Sequence, residues 1–371
     1  MPTTTPTSIT CERAPRVTIT ERSIDNATEI AVVGFAHAPH VSETYGTTNG
    51  VEMLVPCFQQ LYDQLGITKA DIGFWCSGSS DYLAGRSFSF ISAIDSIGAV
   101  PPINESHVEM DAAWALYEAW VKLRSGQAET ALVYGFGKSS ASTLRQVLST
   151  QLDPYLVTPL WPDSLAIAGL QARAGLDAGR WTERDMAAVS AAHTLDGTSV
   201  DELLAGDYVA DPLRAHDCAP ITDGAAAIVL AVGDRARELT ERPAWITGMS
   251  HRIDSSVLGA RDLTVSPSAA AAGQAVTNGD TSGIDIAELH APFSHQQLIL
   301  TEALGLKPET AVNPSGGALA ANPMFATGLE RIGYAALPIM AGDAGRTLAH
   351  ATSGPALQQN LVTVLDSEAR R

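Results

Sequence analysis

Hydrophobic positions follow two different spacings along the chain, and each spacing predicts its own type of element. The run EIAVVGFAH, which begins at Glu29, predicts a buried strand that leaves through Gly34. Apolar residues at 51, 54, 55, 58 and 61 have helical spacing, and Gly66 closes that helix. Residues 110–126 are small or apolar almost all round, which is typical of a buried helix. Strands and helices in this succession predict an α/β layered fold.

The same order of elements occurs a second time. After Pro243 the pattern predicts a strand, an Ala-rich helix at 268–277, a second strand, a helix, a Gly-rich loop, another helix and closing strands at 346–365. We therefore predict two similar halves, residues 28–240 and 241–371. Loops and strand ends of both halves are expected to form the active site at their junction.

Two segments do not follow this order. Residues 139–185 are rich in Ser, Pro and Trp, and we expect an irregular excursion over the core. Residues 1–27 lack the apolar core of a signal peptide and are predicted to form a flexible tail. No window offers the roughly 18 uncharged apolar residues that a membrane span needs. The sequence therefore predicts a soluble, cytoplasmic protein.

Composition narrows the range of partners and cofactors. The 371 residues include 41 acidic and 23 basic side chains, for a formal net charge of −18. A broad cationic surface is not expected, which argues against nucleic acid and anionic membranes as partners. The four cysteines are widely spaced, and His193, His216 and His251 have no second ligand at a usable spacing. We expect no metal and no bound cofactor.

Four separated stretches together resemble the thiolase superfamily, most nearly its branch of sterol-carrier-protein thiolases and lipid-transfer proteins. They are the buried helix with VYGFGKSS after it, DCAPITDGAAAIVL at 217–230, ELHAPFSHQQLILTEALGL at 288–306 and NPSGGALAANPMFATGLERI at 313–332. Each is a weak signal alone, but the four follow the order of the family over most of the chain. The resemblance implies a thiolase fold with two αβαβα-like halves, at least a homodimer, and a coenzyme A thioester as substrate.

The resemblance does not include the thiolase nucleophile. A thiolase has a cysteine at the N-terminus of the buried helix, where the positive helix end lowers the pKa of the thiol. Alignment through ALYEAWVKLRSG puts Glu109 at that position, and no cysteine occurs between Cys76 and Cys218. A carboxylate is a poor acyl carrier, because a mixed anhydride is far more labile than a thioester. We therefore expect no covalent acyl transfer.

Three further family loops are present with changed residues. The loop His-Asp-Cys-Phe reads HAPF, which keeps His290 and loses the cysteine. The loop Gly-His-Pro reads ANP, so the amide of Asn322 replaces an imidazole. The C-terminal loop HATSGP, which starts at His350, lacks the cysteine that many thiolases have there. His290, Asn322 and the Gly316-Gly317 loop still match a site that binds a thioester and stabilises an enolate.

An enolate without an acyl-enzyme fits retro-aldol cleavage of a bulky β-hydroxyacyl-CoA, such as a sterol side-chain thioester. His290 is the candidate oxyanion donor or proton relay, with Asn322 as a second donor. Glu109 and His350 are candidate bases, and burial is expected to raise the pKa of Glu109. Ser353 and the two glycines are candidate contacts to coenzyme A. Related aldolases act with a small acyl-CoA-binding protein, so the resemblance also implies a hetero-oligomer.

Each candidate also has a structural interpretation. His290 could satisfy a buried polar group, Glu109 could favour the helix N-terminus, and Asn322 could be a turn residue. His350 and Ser353 could be polar residues at a strand end. Two other functions stay open: a non-catalytic subunit that supports an active partner, and a condensing enzyme whose acyl group a partner supplies.

Overall fold

The computed structural model describes residues 29–44, 50–81, 88–98, 103–141, 143–193 and 197–369. The predicted tail, residues 1–27, lies outside the described residues. The strands are β1 (Ile30–His37), β2 (Phe74–Gly78), β3 (Glu105–Val108), β4 (Thr130–Lys138), β5 (Tyr208–Ala210), β6 (Leu213–Arg214), β7 (Ile221–Val232), β8 (Ala244–Ile253), β9 (Ile286–Leu289), β10 (Ala311–Val312), β11 (Asn322–Pro323), β12 (Arg346–Ser353) and β13 (Gln359–Asp366).

The α-helices among the described residues follow in chain order. They are α1 (Gly50–Leu65), α2 (Ser89–Ile97), α3 (Ala112–Arg124), α4 (Leu144–Thr150), α5 (Ser164–Asp177), α6 (Glu183–Ala191), α7 (Val200–Leu204), α8 (Gly233–Leu239), α9 (Pro267–Thr277), α10 (Ser294–Ala303), α11 (Gly317–Ala320) and α12 (Thr327–Ala341). In the part of the chain that the structure describes, no helix has the length and apolar character to cross a bilayer.

One arrangement of five strands occurs twice in the main sheet. The strand order is β1-β7-β4-β2-β3 in the first half and β8-β13-β12-β9-β10 in the second. In each half, the first two pairings are antiparallel and the last two are parallel. The prediction of an α/β fold with two similar halves is confirmed, while the limit at residue 240 stays a prediction.

The apolar clusters show the layers of this fold. α3 and α12 occupy the same place in the two halves, and their side chains share the inner cluster, which includes Leu116 and Ile332. On the outer faces, a second cluster lies under α1 and α2, and a third under α9 and α10. Small residues let the inner helices pack closely against the sheet. A Cβ on Gly333 of α12 would lie 2.2 Å from the ring of Phe35 on β1. This is the predicted αβαβα layering.

The expectation of an irregular excursion at 139–185 is wrong in its local structure. This segment contains α4 and α5, and the carboxylate of Asp163 caps α5 by accepting a hydrogen bond from the N–H of Ala166 at 2.8 Å. Ile167, Ala168 and Ala172 are buried on one side of α5. The prolines and Trp161 lie in the connection between the two helices, and they concealed the apolar spacing on either side.

Candidate functional site

Segments that are far apart in the sequence meet around the loop that follows β9. The N–H of Ala219 donates to the carbonyl of Pro292 at 2.8 Å, which joins the DCAPIT and HAPF segments. The N–H of Asn322 donates to the hydroxyl of Thr222 at 3.0 Å, and β11 pairs with the start of β7. The family motifs named in the sequence analysis therefore lie side by side.

His290 lies at the centre of this region and is only 7% exposed. Its backbone N–H donates to the backbone carbonyl of His350 at 3.1 Å. The side chain of Asn322 is a hydrogen-bond partner of its ring. The N–H of Thr352 points to Nδ1 at 3.5 Å. Burial, with His350 and Arg331 nearby, lowers the pKa of His290 to about 3. The ring is therefore neutral, and with Nδ1 accepting, its proton is on Nε2.

His350 is fully buried beside His290. Its Nε2 lies 2.8 Å from Oδ1 of Asn360, whose Nδ2 donates to the hydroxyl of Ser268 and the carbonyl of Leu357. Because Oδ1 of Asn360 must accept, Nε2 of His350 has the proton. Among the described residues Nδ1 has no hydrogen-bond partner. Burial lowers the pKa of His350 to about 4, so Nδ1 presents a free lone pair.

Asn322 connects His290 to the start of α12. It is 7% exposed, and its Oδ1 accepts a hydrogen bond from the hydroxyl of Thr327 at 2.9 Å. The same hydroxyl of Thr327 also lies 2.9 Å from the carbonyl oxygen of Pro323, so it holds the backbone of this loop as well. The Oδ1 of Asn322 has a second lone pair that can accept from the ring of His290, and its Nδ2 offers two N–H bonds as donors.

The glycine loop is fixed by a buried ion pair. Arg331 on α12 binds Glu288 on β9 at 3.0 Å, and the Ser315 hydroxyl donates to the same carboxylate at 2.6 Å. Gly316 and Gly317 follow with φ values of 94° and 61°, in the left-handed region that favours glycine. These contacts explain both glycines structurally. Their contact to coenzyme A stays a prediction.

Glu109 does not occupy the position expected for it. Its side chain is 46% exposed, and it lies before the helix rather than at its N-terminus. Its Oε1 accepts from the N–H of Asp81 at 2.7 Å, and its Oε2 lies 3.4 Å from Nε2 of His107. The expectation that this side chain is buried is wrong, because nearly half of it is exposed to solvent. Its role as a base stays a prediction, as does that of Ser353 at the end of β12.

Asp111 is the carboxylate at the N-terminus of the buried helix. It is 4% exposed and caps α3 by accepting from the N–H of Ala113 at 2.8 Å. It also accepts from the N–H groups of Gly328 and Leu329 at the start of α12. Burial raises its pKa to about 6 despite these hydrogen bonds. An Asp directly before an Ala-rich helix is an N-cap signal that would have identified it.

Comparisons with known proteins agree with this geometry, although no family model matches the chain. Over 158 residues it is 34% identical to the acetyl-CoA acetyltransferase of Methanothermobacter thermautotrophicus, which is 36% of this chain and 40% of that protein. Over 163 residues it is 30% identical to human sterol carrier protein 2, which is 37% of this chain and 30% of that protein. The chain thus spans two fifths or less of these two relatives.

A solved structure of an Ltp2-ChsH2(DUF35) aldolase superposes on 91% of this chain and 98% of its own, with a TM-score of 0.75. The fold is thiolase-like. At 18% identity the likeness to this structure concerns the fold. Together with the two relatives, it confirms the resemblance of this thiolase-like chain to the thiolase superfamily and its sterol-carrier branch.

Proposed function

We propose that this thiolase-like chain handles acyl-CoA and cleaves a bulky β-hydroxyacyl-CoA, of the sterol side-chain type, by a retro-aldol reaction. The observation on which the proposal rests is the contact between the neutral ring of His290 and the amide of Asn322, two groups that occupy the places of family residues that act on thioesters. Donors held in a buried site favour an enolate oxygen over the less charged thioester carbonyl.

The cysteines that the structure describes support cleavage without an acyl-enzyme. The three described cysteines are Cys57, Cys76 and Cys218, and burial raises the pKa of each thiol above its usual range. Neither Glu109 nor the capping Asp111 offers a stable acyl carrier. A reaction that only forms and protonates an enolate needs neither of these groups as a nucleophile.

In the proposed reaction, a base takes the proton of the β-hydroxyl, and the Cα–Cβ bond breaks as the hydroxyl carbon becomes a carbonyl. The electron pair of that bond forms the enolate of the shorter thioester. Nε2–H of His290 and the amide of Asn322 donate to the enolate oxygen. A proton delivered to Cα then completes the shorter acyl-CoA. Ketone or aldehyde and acyl-CoA together account for all substrate atoms.

Two residues are proposed as the base. Glu109 is exposed and lies next to His107, from which it can approach a large substrate. His350 has a free lone pair on Nδ1 but is fully buried. Glu109→Gln and His350→Gln distinguish them, because only loss of the base removes turnover while substrate binding remains.

We further propose a homodimer that acts with a small acyl-CoA-binding protein. The solved structural relative is a two-component assembly by its name, which supports this expectation. Size-exclusion chromatography with light scattering gives the mass of the chain alone and with a co-purifying partner. A monomer in both samples would contradict the proposal.

A non-catalytic subunit is the second candidate function. The observation that favours it is the low exposure of His290 and Asn322, at 7% each. A substrate would reach them only if the surrounding loops open.

The deciding experiment offers β-hydroxyacyl-CoA and β-ketoacyl-CoA thioesters to the protein, alone and with its partner, and follows products by mass spectrometry. We expect a shorter acyl-CoA and a ketone or aldehyde, with no consumption of free coenzyme A. His290→Ala should remove this activity. His295→Ala is the matched control, because His295 is equally buried and its pKa is also lowered to about 3.

Three results would contradict the proposal. Thiolysis that depends on free coenzyme A would mean that a nucleophile is present after all. No turnover in any combination would favour the non-catalytic subunit. Condensation with an acyl group from a cysteine-bearing partner would favour the condensing enzyme.

A further inference from the structure

Two histidines and a buried glutamate meet where α12 packs against β1. One ligand atom each from His37, His40 and Glu330 lies within 4.8 Å of the others. His37 is the last residue of β1 and His40 follows the strand, and their rings stack with centroids 5.1 Å apart. Glu330 is fully buried on α12. These residues are 290 positions apart in the chain, and they form a group that the proposed reaction does not use.

The protonation of His37 follows from its neighbours. Its Nδ1 lies 2.9 Å from the carbonyl of Ala38, which can only accept, so Nδ1 has the proton. Its Nε2 therefore has a lone pair when the ring is neutral, and the hydroxyl of Tyr334 donates to it at 3.0 Å. A backbone carbonyl on one ring nitrogen, with the other nitrogen free to coordinate, is the usual support of a metal-binding histidine.

His40 and Glu330 contribute the other two donors. Nε2–H of His40 donates to Oε1 of Glu330 at 2.8 Å. A metal ion bound between these two atoms would displace the proton on Nε2. Oε2 of Glu330 is buried without a hydrogen-bond partner among the described residues, and its nearest charged group is Arg331 at 3.6 Å. The His40 side chain is 20% exposed, which leaves a path from solvent.

The surrounding charges favour a divalent cation. One terminal nitrogen of Arg331 pairs with Glu288 at 3.0 Å, and the other lies 3.6 Å from Oε2 of Glu330, so a single guanidinium faces both carboxylates. The carboxyl group of Asp111 is close enough to interact with Glu330. Two buried carboxylates thus share one guanidinium, and the carboxyl group of Asp111 is a third acidic group nearby. Buried charge without a partner is costly, and a cation with two positive charges would balance the excess.

We propose that His37, His40 and Glu330 bind a divalent transition metal of the zinc class, with water in the fourth position. Two imidazoles and one carboxylate with an open position are an established zinc donor set. Bonds of about 2.0–2.2 Å in tetrahedral geometry put donors roughly 3.4 Å apart, so no pair of ligand atoms needs to approach by more than about 1.4 Å. The proposal does not depend on the proposed reaction.

The test is metal binding by the whole purified chain. After removal of metals with a chelator, the protein is titrated with Zn²⁺ against a chromophoric competitor, and metal content is measured by mass spectrometry. Co²⁺ is added separately, because its visible absorption reports tetrahedral coordination. We expect one equivalent bound, and His40→Ala and Glu330→Gln should each weaken binding by more than the 10–100-fold typical of a supporting group.

Controls separate a direct ligand from damage to the fold. His251→Ala removes a histidine of another strand and should bind as the unchanged protein does. Tyr334→Phe removes only a hydroxyl and should leave binding within about 10-fold. Zn²⁺ should raise the thermal midpoint of the unchanged chain but not that of His40→Ala. Absence of an equivalent of metal, or unchanged affinity in His40→Ala, would overturn the proposal.

Discussion

The carboxylate of Asp111 accepts a hydrogen bond from the N–H of Gly328 at 2.9 Å, and this contact joins the first turns of the two buried helices. The N–H of Leu329 adds a second bond from α12 at 3.2 Å. Both helix N-termini thus direct their positive ends at one carboxylate. One side chain therefore fixes the two halves at the junction where the candidate site lies.

Replacement of Gly328 by Ala should disturb this junction. A Cβ there would lie 2.5 Å from Oδ1 of Asp111 and 2.8 Å from Cβ of Ala351. We expect a loss of roughly 1–3 kcal/mol in the free energy of unfolding, as for an overpacked core. Urea unfolding measures it. Gly259→Ala is the control, since nothing lies within 4 Å of a Cβ there. Equal midpoints for the two variants would contradict the close packing.

Asp111 should also give a pH dependence of its own. Because its pKa is raised from 3.8 to about 6, the folded chain binds more protons than the unfolded chain between these values. The contribution of this group to stability therefore rises as the pH falls from 7 to 4, by up to roughly 3 kcal/mol. Asp111→Asn removes the titration. On acidification, the free energy of unfolding of the unchanged protein should rise relative to that of the variant. A difference that stays constant with pH would contradict the raised pKa.

The buried histidines should act in the opposite direction. The pKa values of His290 and His295 are lowered to about 3 and that of His350 to about 4, from 6.5. The unfolded chain takes up their protons first, so their contribution is complete above pH 6.5 and is lost as the pH falls below it. Between pH 6.5 and its own lowered pKa, each histidine reduces the free energy of unfolding by about 1.4 kcal/mol per pH unit. Urea midpoints between pH 7.5 and 5 should fall, and less steeply for His295→Gln; equal slopes would argue against a neutral buried ring.

Much of the fold follows from local patterns in the sequence. The strand after Glu29 and the Ala-rich buried helix have their apolar spacing written in consecutive residues, and both occur as predicted. Alignment placed Glu109 at the helix N-terminus because it matches positions along the chain. The helix itself begins where a side chain can cap it, which is at Asp111. Asp111 has that geometry and Glu109 does not.

Long-range pairs were beyond the reach of sequence patterns. His40 and Glu330 each occur within unremarkable local sequence, and only the packing of α12 against β1 brings them together. By contrast, the contact between His290 and Asn322 was predictable because both occupy known family loops. Local spacing thus predicted the layers, and resemblance predicted part of the site.

Alkylation should not inactivate the protein. Burial raises the pKa of Cys57 and Cys218 to about 12 and that of Cys76 further, so few thiolates exist at neutral pH. Iodoacetamide should leave these three cysteines unlabelled in the native chain, as read by peptide mass spectrometry, and retro-aldol turnover unchanged. The urea-unfolded chain, in which they should react, is the control. Rapid loss of activity together with labelling of one of them would indicate a cysteine nucleophile.

Asn322→Ala tests the enolate donor separately from the fold. The variant loses the amide that contacts His290, while the hydroxyl of Thr327 keeps its bond to the carbonyl of Pro323 at 2.9 Å. Removal of one oxyanion donor lowers kcat by about 100–1000-fold, so we expect that loss with little change in KM or thermal midpoint. Thr327→Val is the matched control, because it removes the hydroxyl at 2.9 Å from Oδ1 and leaves the amide donors in place. If Thr327→Val lowers kcat as far as Asn322→Ala does, then Asn322 serves to position the loop, and the donor to the enolate must be His290 alone.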